Sequence, residues 1–364
     1  MTSVVSDGIG RDCDPEFPAG ENGSPLPPEP HAASAPATER ELNLLLEADP
    51  RSLLLNIRKG DWRFRAGDDE LACYFYRRAL HLAEGLSLSQ PQAAEVRLAE
   101  AGLAEAAGRA NAKRVARLTD RGLPPPQWGP RLKASLELAA GRGQACFPEG
   151  NAYPQDPTNY HYPGLPQAQY YDPAQFAWAP AIEAATGVIR EELIGLLAKG
   201  PDELRPFTPS DIGLPLGVNK ALTNGGDWSV LALCEQGFLY PHVQRCPRTF
   251  ETLLQHAPLP RVAGWGPSVI FSLLKPGAHI GAHTGMHNTR LICHLPLIVP
   301  PGCRFRVGNE VREWEEGKLL IFDDTIEHEA WNDSAENRVV LVFDIWRPEL
   351  TEQEKYELSV LFSD

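Results

Sequence analysis

Histidines concentrate in the C-terminal half of this 364-residue chain. Five of its ten histidines fall in one span, namely His279, His283, His287, His294 and His328. Neutral imidazoles bind divalent transition metals when the fold brings them together, whatever their separation in the sequence. His283 and His328 each adjoin a strand-like run, and such positions can face each other across the mouth of a β-barrel. The pair therefore predicts a metal centre, and the alternative is that each is a hydrogen-bonded structural histidine.

Arg338 stands at the start of an apolar run, Val339 to Phe343. Its side chain is therefore expected to point into a barrel with apolar walls. A buried guanidinium needs an anion, ideally one that it can bind with two hydrogen bonds. The distal carboxylate of 2-oxoglutarate is a good candidate. The alternative is a structural salt bridge with Asp323, Asp324 or Asp344.

Three more polar residues could reach the same anion or a substrate. Ser272 lies on a predicted strand eleven residues before His283 and offers a hydroxyl donor. Arg290 and His294 are four residues apart, which puts both side chains on one face of a strand. The alternative for this pair is a polar edge that faces solvent.

The elements that must position these residues are short apolar runs bounded by Gly/Pro turns. The predicted strands cover residues 229–233, 268–274, 290–298, 303–307, 318–322 and 338–345. Gly308-Asn309 suits a tight hairpin between two of them, and an amphipathic helix is predicted for residues 179–198. Many short strands with such turns indicate an α+β chain with a C-terminal sandwich or jelly roll.

The N-terminal part carries a different pattern. A helix, a turn near Gly67 and a second helix are predicted, with Gly60, Ala72, Tyr76 and Ala79 at the spacing of a tetratricopeptide repeat (TPR). Such a TPR-like domain either binds a peptide or partner protein, or it serves as a structural cap or dimerisation surface. The predicted domains are a disordered Pro-rich tail (1–38), the helical domain (39–145), a linker (146–159) and the barrel domain (160–364).

Composition excludes several classes of function. The net charge of -14 and the pI near 5.2 argue against binding to nucleic acid or to an anionic membrane surface. The first twenty residues lack the apolar core of a signal peptide, and no apolar run is long enough to span a bilayer. The seven cysteines form no Cys-x-x-Cys pair, so free thiols are expected. A soluble cytoplasmic protein is predicted.

Residues 160–351 resemble the aspartyl/asparaginyl β-hydroxylases, a branch of the Fe(II)- and 2-oxoglutarate-dependent dioxygenases. The upstream helical repeat is also similar to the arrangement in the animal members. The segments that carry the resemblance are Gly226-Asp-Trp-Ser229, Lys275-Pro-Gly-Ala-His279, His283-Thr-Gly285, Arg290, His294, Trp314-Glu-Glu-Gly-Lys318, Ile321-Phe-Asp-Asp324, Glu327-His-Glu329, Trp331, Asp344, Trp346 and Pro348-Glu-Leu350.

This resemblance implies a double-stranded β-helix (cupin-like) and an enzyme that uses Fe(II), 2-oxoglutarate and O2. It implies hydroxylation of the β-carbon of Asp or Asn residues in a peptide or protein, with release of succinate and CO2. By the same resemblance, the iron ligands are His283 and His328. The 2-oxoglutarate contacts are Ser272, His294 and Arg338, and Arg290 contacts either the co-substrate or the substrate.

The chain departs from related proteins at two positions. Most related oxygenases carry a carboxylate ligand two residues after the first histidine, whereas this chain has Gly285, as is usual in the family, and water would complete the metal shell. The animal members carry a second arginine where this chain has Ile292. Two other functions remain open: the same iron chemistry on a small molecule or lipid-linked acyl group, and a non-catalytic metal-binding scaffold whose helical region binds partners.

Overall fold

The computed structural model describes residues 38–143, 145, 147, 151–198, 204–206 and 227–363. The predicted disordered tail therefore lies outside the described residues, except for Thr38. The described residues from Thr38 onward belong to one compact unit.

Helices form the N-terminal part, lie between several of the strands and follow the last described strand. They are α1 (Glu39–Ala48), α2 (Leu53–Arg65), α3 (Asp69–Ala83), α4 (Gln90–Asp120), α5 (Pro130–Ala139), α6 (Ala179–Ala184), α7 (Thr186–Leu197), α8 (Pro247–His256) and α9 (Glu352–Phe362). Short 3-10 helices occupy Pro125–Gln127, Pro173–Gln175 and Pro241–Arg245. No helix in the described part of the chain combines the length and apolar character that a membrane crossing requires.

Local sequence explains where several of these helices begin and end. Thr38, Ser89 and Thr351 each cap a helix through a reciprocal pair of hydrogen bonds with the residue three positions later. The prediction of one helix over residues 179–198 was wrong, because α6 and α7 meet at Ala185. At this break the Thr186 hydroxyl donates to the carbonyl of Glu183 over 2.6 Å, a side-chain bond that competes with helical backbone bonds.

The helices α2, α3 and α4 pack around one aromatic ring. Tyr76 on α3 is buried between Gly60 of α2 and Gly102 of α4, and its hydroxyl donates to Asp61 over 2.7 Å. The predicted turn at Gly67 is confirmed by its φ of +80°. The small residues therefore permit close helix packing, as the pattern predicted, whereas the assignment to the TPR class stays a prediction.

This packing gives a stability prediction with an internal control. A Cβ at Gly102 would lie 2.8 Å from the Tyr76 ring, whereas a Cβ at Gly108 on the same helix meets nothing within 4 Å. We expect Gly102→Ala to lower the free energy of unfolding by about 1–3 kcal/mol through overpacking. Gly108→Ala should raise it by about 0.5–1 kcal/mol, because alanine loses less backbone entropy in a helix. Urea denaturation measures both, and equal effects would contradict the proposed role of Gly102.

The described residues contain twelve strands. They are β1 (Tyr170–Tyr171), β2 (Arg205–Pro206), β3 (Trp228–Glu235), β4 (Phe238–Leu239), β5 (Val269–Leu274), β6 (His279–His283), β7 (Arg290–Ile298), β8 (Cys303–Val307), β9 (Glu310–Glu313), β10 (Leu320–Phe322), β11 (His328–Asn332) and β12 (Arg338–Trp346). The predicted hairpin at Gly308-Asn309 is confirmed, since β8 and β9 pair on either side of it.

These strands form two antiparallel sheets. The larger has the order β1-β10-β7-β12-β5-β3-β2, with β4 added beside β3, and the smaller has the order β6-β11-β8-β9. One face of the larger sheet packs on α6, α7 and α8, while its other face joins the smaller sheet in a second core around Phe305 and Phe322. The predicted jelly roll is confirmed, and an N-terminal helical part precedes it.

A third core connects the helical part to the barrel. It combines residues of α4, α5 and α9 with Tyr160 and Tyr162, which lie at the start of the predicted barrel domain. The two tyrosines therefore pack this part of the chain onto the neighbouring helices. The boundaries at 145 and 160 stay predictions.

Candidate active site

The two predicted metal-binding histidines lie opposite each other in the smaller sheet. His283 is the last residue of β6, His328 is the first residue of β11, and the antiparallel register pairs them directly. Their ring centroids are 4.1 Å apart. Neither strand was predicted from the sequence, so the structural basis of this convergence was missed.

Both imidazoles are anchored in the same way. Nδ1 of His283 lies 2.8 Å from the carbonyl oxygen of Gly281, and Nδ1 of His328 lies 3.0 Å from that of Ile326. Burial lowers the pKa of both rings, and the neighbouring His283 lowers that of His328 further, so both are neutral near pH 7. Because a carbonyl can only accept, each Nδ1 carries the proton and each Nε2 keeps its lone pair, the arrangement typical of metal-binding histidines.

Asp324 is the candidate site residue that the sequence analysis missed. A Cβ built on Gly285 would lie only 1.9 Å from Asp324 Oδ2, so this carboxylate occupies the space of a side chain at position 285. It is 9% exposed, and burial raises its pKa to about 7. The doubled acid Asp323-Asp324 just before His328 was the available signal. Among the described residues, no group of three or more His, Cys, Asp or Glu side chains could hold a metal.

Arg338 lies on the larger sheet, across the cavity from the histidines. It is the first residue of β12, only 1% exposed, and its guanidinium carbon is 4.8 Å from the ring centroid of Trp314. Nη1 approaches the carbonyl of Ser272 at 3.5 Å, and Nε has no hydrogen-bond partner among the described residues. Burial lowers the pKa of this guanidinium to about 10.

The salt bridges that were the alternative for Arg338 are made by other arginines. Asp323 pairs with Arg347 at 2.8 Å, and Asp344 pairs with Arg290 at 2.7 Å. Within the described part of the chain, no carboxylate lies within ion-pair distance of Arg338. Its buried charge therefore calls for an external anion, since an uncompensated buried charge is costly.

Two hydrogen-bonding side chains flank Arg338. Burial and the nearby Arg338 lower the pKa of His294 to about 3. Its Nδ1 accepts from Trp314 Nε1 over 3.2 Å, so the neutral ring carries its proton on Nε2. Ser272 Oγ accepts from Trp228 Nε1 over 2.9 Å, which leaves its own proton available as a donor. Ser272, His294 and Arg338 thus supply three donor groups at one wall.

Strand alternation explains why these polar groups face the cavity. On β7, Leu291, Cys293 and Leu295 belong to the core beneath the helices, whereas Arg290 and His294 line the cavity. The prediction that these two share one face is therefore confirmed. Arg290 is turned toward Asp344 and lies 5.3 Å from the ring of Trp265.

All six predicted site residues line one cavity of about 170 Å³ between the sheets. Asp324 and Gly285 lie in its wall, and most of the remaining wall is apolar. A larger cavity of about 370 Å³ adjoins it, with Met286 and Arg290 in the walls of both. The larger cavity contains neither the histidine pair nor Arg338, so we assign the chemistry to the smaller one.

The fold and this cavity define a double-stranded β-helix protein with a two-histidine site between its sheets. Residues 183–348 match the sequence model for aspartyl/asparaginyl beta-hydroxylase. This region, a little under half of the chain, is therefore similar to that family.

The matched region makes up different shares of the relatives' own lengths. The human aspartyl/asparaginyl beta-hydroxylase is 34% identical over 207 residues, which are 56% of this chain and 26% of that protein. The ornithine lipid ester-linked acyl 2-hydroxylase of Rhizobium tropici is 37% identical over 194 residues, 52% of this chain and 64% of that protein. Among solved structures, a predicted oxalate decarboxylase from Thermotoga maritima is similar to part of this chain. The alignment covers 33% of this chain and 81% of the other, at 13% sequence identity and a TM-score of 0.23. The match to this chain thus spans less than two thirds of either curated relative.

Proposed function

We propose that the protein is an Fe(II)- and 2-oxoglutarate-dependent dioxygenase that hydroxylates the β-carbon of Asp or Asn residues in a peptide or protein. One oxygen atom of O2 enters the substrate C–H bond as a hydroxyl, and the other enters succinate as 2-oxoglutarate loses CO2. The observation that carries the proposal is the buried guanidinium of Arg338, which faces two neutral imidazoles and has no carboxylate partner within the described residues.

The polar side chains of the cavity suit both Fe(II) and 2-oxoglutarate. His283 and His328 would hold Fe(II) through Nε2, because their Nδ1 atoms are already bonded to backbone carbonyls. Bound Fe(II) supplies the oxygen activation that protein side chains cannot perform. Asp324 keeps a carboxylate beside Gly285, where it can accept hydrogen bonds from metal-bound water.

The opposite wall would bind the co-substrate. Arg338 pairs with the distal carboxylate of 2-oxoglutarate, and His294 Nε2–H and the Ser272 hydroxyl donate to the same anion. The apolar wall excludes water, which strengthens each of these charged hydrogen bonds. Arg290 lines the cavity on the side of the larger pocket, where it would meet either the co-substrate or the substrate.

The adjoining cavity supports a substrate longer than one side chain. Its wall combines the turn at residues 67–70 and residues of α4 with Trp265, His287 and Arg290 of the barrel. An extended peptide lying there could place one side chain in the smaller cavity. The helical part would then contribute to substrate binding, and the cytoplasmic location inferred from the sequence would make a cytosolic peptide its target.

The test of the enzymatic proposal uses the full chain with Fe(II), O2 and 2-oxoglutarate. We expect succinate formation by the wild type and none above background by His328→Ala. A peptide panel containing Asp and Asn should yield a product heavier by one oxygen atom. Absence of iron-dependent turnover with every substrate would instead favour the metal-binding scaffold.

A second candidate substrate is an ester-linked acyl group. The relative from Rhizobium tropici, whose name states this activity, supports it. The chemistry is closely similar, because the β-carbon of Asn and the 2-carbon of an acyl ester are both methylene carbons beside a neutral carbonyl. A parallel panel of acyl esters separates the candidates by which class gains the oxygen atom.

A further inference from the structure

The segment 155–162, hereafter the strap, bonds to the loops beside both histidines. Asp156 N–H donates to the carbonyl of Thr325 over 2.7 Å, in the turn that leads to His328. Thr158 N–H donates to the carbonyl of Gly285 over 2.9 Å, and Tyr160 N–H donates to that of Met286 over 3.0 Å. Gly285 and Met286 lie in the loop that follows His283. The strap therefore holds both loops at once.

One side chain of the strap also spans the two loops. Gln155 is 2% exposed, and its Nε2 donates to Asp323 Oδ2 over 2.6 Å. Its Oε1 accepts from Asn288 Nδ2 over 2.8 Å. Asn288 follows His283 by five residues, and Asp323 precedes His328 by five. The amide thus connects matching positions on the two histidine loops.

Both ends of this bridge are themselves fixed. Asp323 Oδ2 also accepts from Arg347 over 2.8 Å, and Oδ1 accepts from the backbone and hydroxyl of Thr325 over 3.0 and 2.6 Å. Asn288 is fully buried and exchanges two hydrogen bonds with the backbone of Tyr162, at 2.7 and 2.9 Å. The amide orientation follows from these partners, since Asp323 requires a donor and the Asn288 amide group requires an acceptor.

We infer that Gln155 is a positioning residue of the active site, which sets the spacing of His283 and His328 by bridging their loops. The inference rests on the proposed metal-dependent function and extends it to a residue well outside the family match at 183–348. Outer partners that orient metal ligands typically contribute a factor of 10 to 100 in metal affinity. Gln155 contacts the loops beside the two histidines rather than the imidazole rings themselves.

The test replaces the bridge by an apolar side chain of similar length. Gln155→Met in the full chain should bind Co(II), used as a spectroscopic probe for Fe(II), about tenfold more weakly than the wild type. The visible absorption of the bound Co(II) should change as well. Gln169→Met is the matched control, because the Gln169 side chain bonds to Asn309 at the β8–β9 hairpin. Only its backbone carbonyl, which the substitution retains, accepts from the N–H of Asp323. This control variant should retain wild-type Co(II) affinity.

A second variant and a stability measurement keep the inference separate from a loss of folding. Gln155→Glu places a carboxylate against Asp323 and should weaken Co(II) binding more than Gln155→Met does. Urea denaturation without metal measures the purely structural effect of each change.

The outcomes distinguish the two proposals. Wild-type Co(II) affinity and spectrum in Gln155→Met, with only lower stability, would overturn the positioning role alone. Wild-type Co(II) affinity in Gln155→Glu would also overturn it. Absence of Co(II) binding by the wild type would overturn the proposed function itself.

Discussion

Replacing Arg338 by alanine should raise the concentration of 2-oxoglutarate needed for half-saturation by about 30- to 150-fold, with Fe(II) affinity nearly unchanged. Its guanidinium is buried in the wall that we propose binds the co-substrate, and it has no carboxylate partner within the described residues. A charged hydrogen-bonded contact in a buried site is worth roughly 2–3 kcal/mol. Isothermal titration with 2-oxoglutarate, in protein loaded with Mn(II) in the absence of O2, measures the change directly.

Arg304→Ala is the matched control for this variant. Arg304 lies 5.0 Å from the ring of Trp331, much as Arg338 lies 4.8 Å from that of Trp314, but it is half-exposed and pairs with Asp333 at 2.6 Å. Its loss should leave 2-oxoglutarate binding unchanged. Equal losses of 2-oxoglutarate and metal affinity in Arg338→Ala would count against the assignment.

The buried charge of Arg338, which should favour 2-oxoglutarate binding, should lower the stability of the folded protein without co-substrate. Burial lowers the pKa of Arg338 to about 10, so the folded state disfavours the charged form relative to the unfolded chain. This charge therefore costs stability at every pH below about 10, and the cost declines as the pH rises from there toward the ordinary value. Arg338→Met should accordingly resist urea at least as well as the wild type without co-substrate, while binding 2-oxoglutarate poorly.

Loss of either central histidine should have the largest effect on metal binding. We expect His283→Ala and His328→Ala to weaken Co(II) binding by more than about 100-fold, because removing a direct ligand exceeds the effect of removing an outer partner. Succinate formation should fall to background in both. Optical titration with Co(II) measures the first effect, and mass spectrometry measures the second.

His279→Ala is the control for these variants because it lies on the same strand, β6. His279 is exposed, stacks on Trp331 at 5.0 Å and pairs with Glu329, away from the cavity. Its removal should leave Co(II) affinity unchanged. If it weakened binding as much as His328→Ala, the metal would lie elsewhere.

The sequence predicted the strands with strong apolar alternation well. The bounds of β7 and β8 agree with the prediction, and the shared face of Arg290 and His294 followed from period-two alternation. The inward position of Arg338 followed from its place at the start of an apolar run. The strands that hold the histidine pair were missed. The run His279-Ile-Gly-Ala-His283 has a central glycine and few β-branched residues, so its strand state depends on pairing with β11.

The arrangement of the charged groups could not be predicted from the sequence. Three aspartates were alternatives for Arg338, and only tertiary structure pairs Asp344 with Arg290 and Asp323 with Arg347. The place of Asp324 depends on the missing Cβ of Gly285, which no local pattern reveals. Gln155 and Asp323 are 168 residues apart in the sequence, and no propensity rule joins such distant polar side chains.

The path of the strap limits how far this protein can be shortened. A recombinant fragment that starts at residue 160, the predicted beginning of the barrel, would lack the Gln155 amide and the backbone donors of Asp156 and Thr158. One that starts at residue 183, where the family match begins, would also lose β1, which pairs with β10. A fragment that keeps both histidine loops in place is therefore expected to be longer than the region that matches the family model, and truncation libraries should place their N-terminal cut well upstream of Gln155.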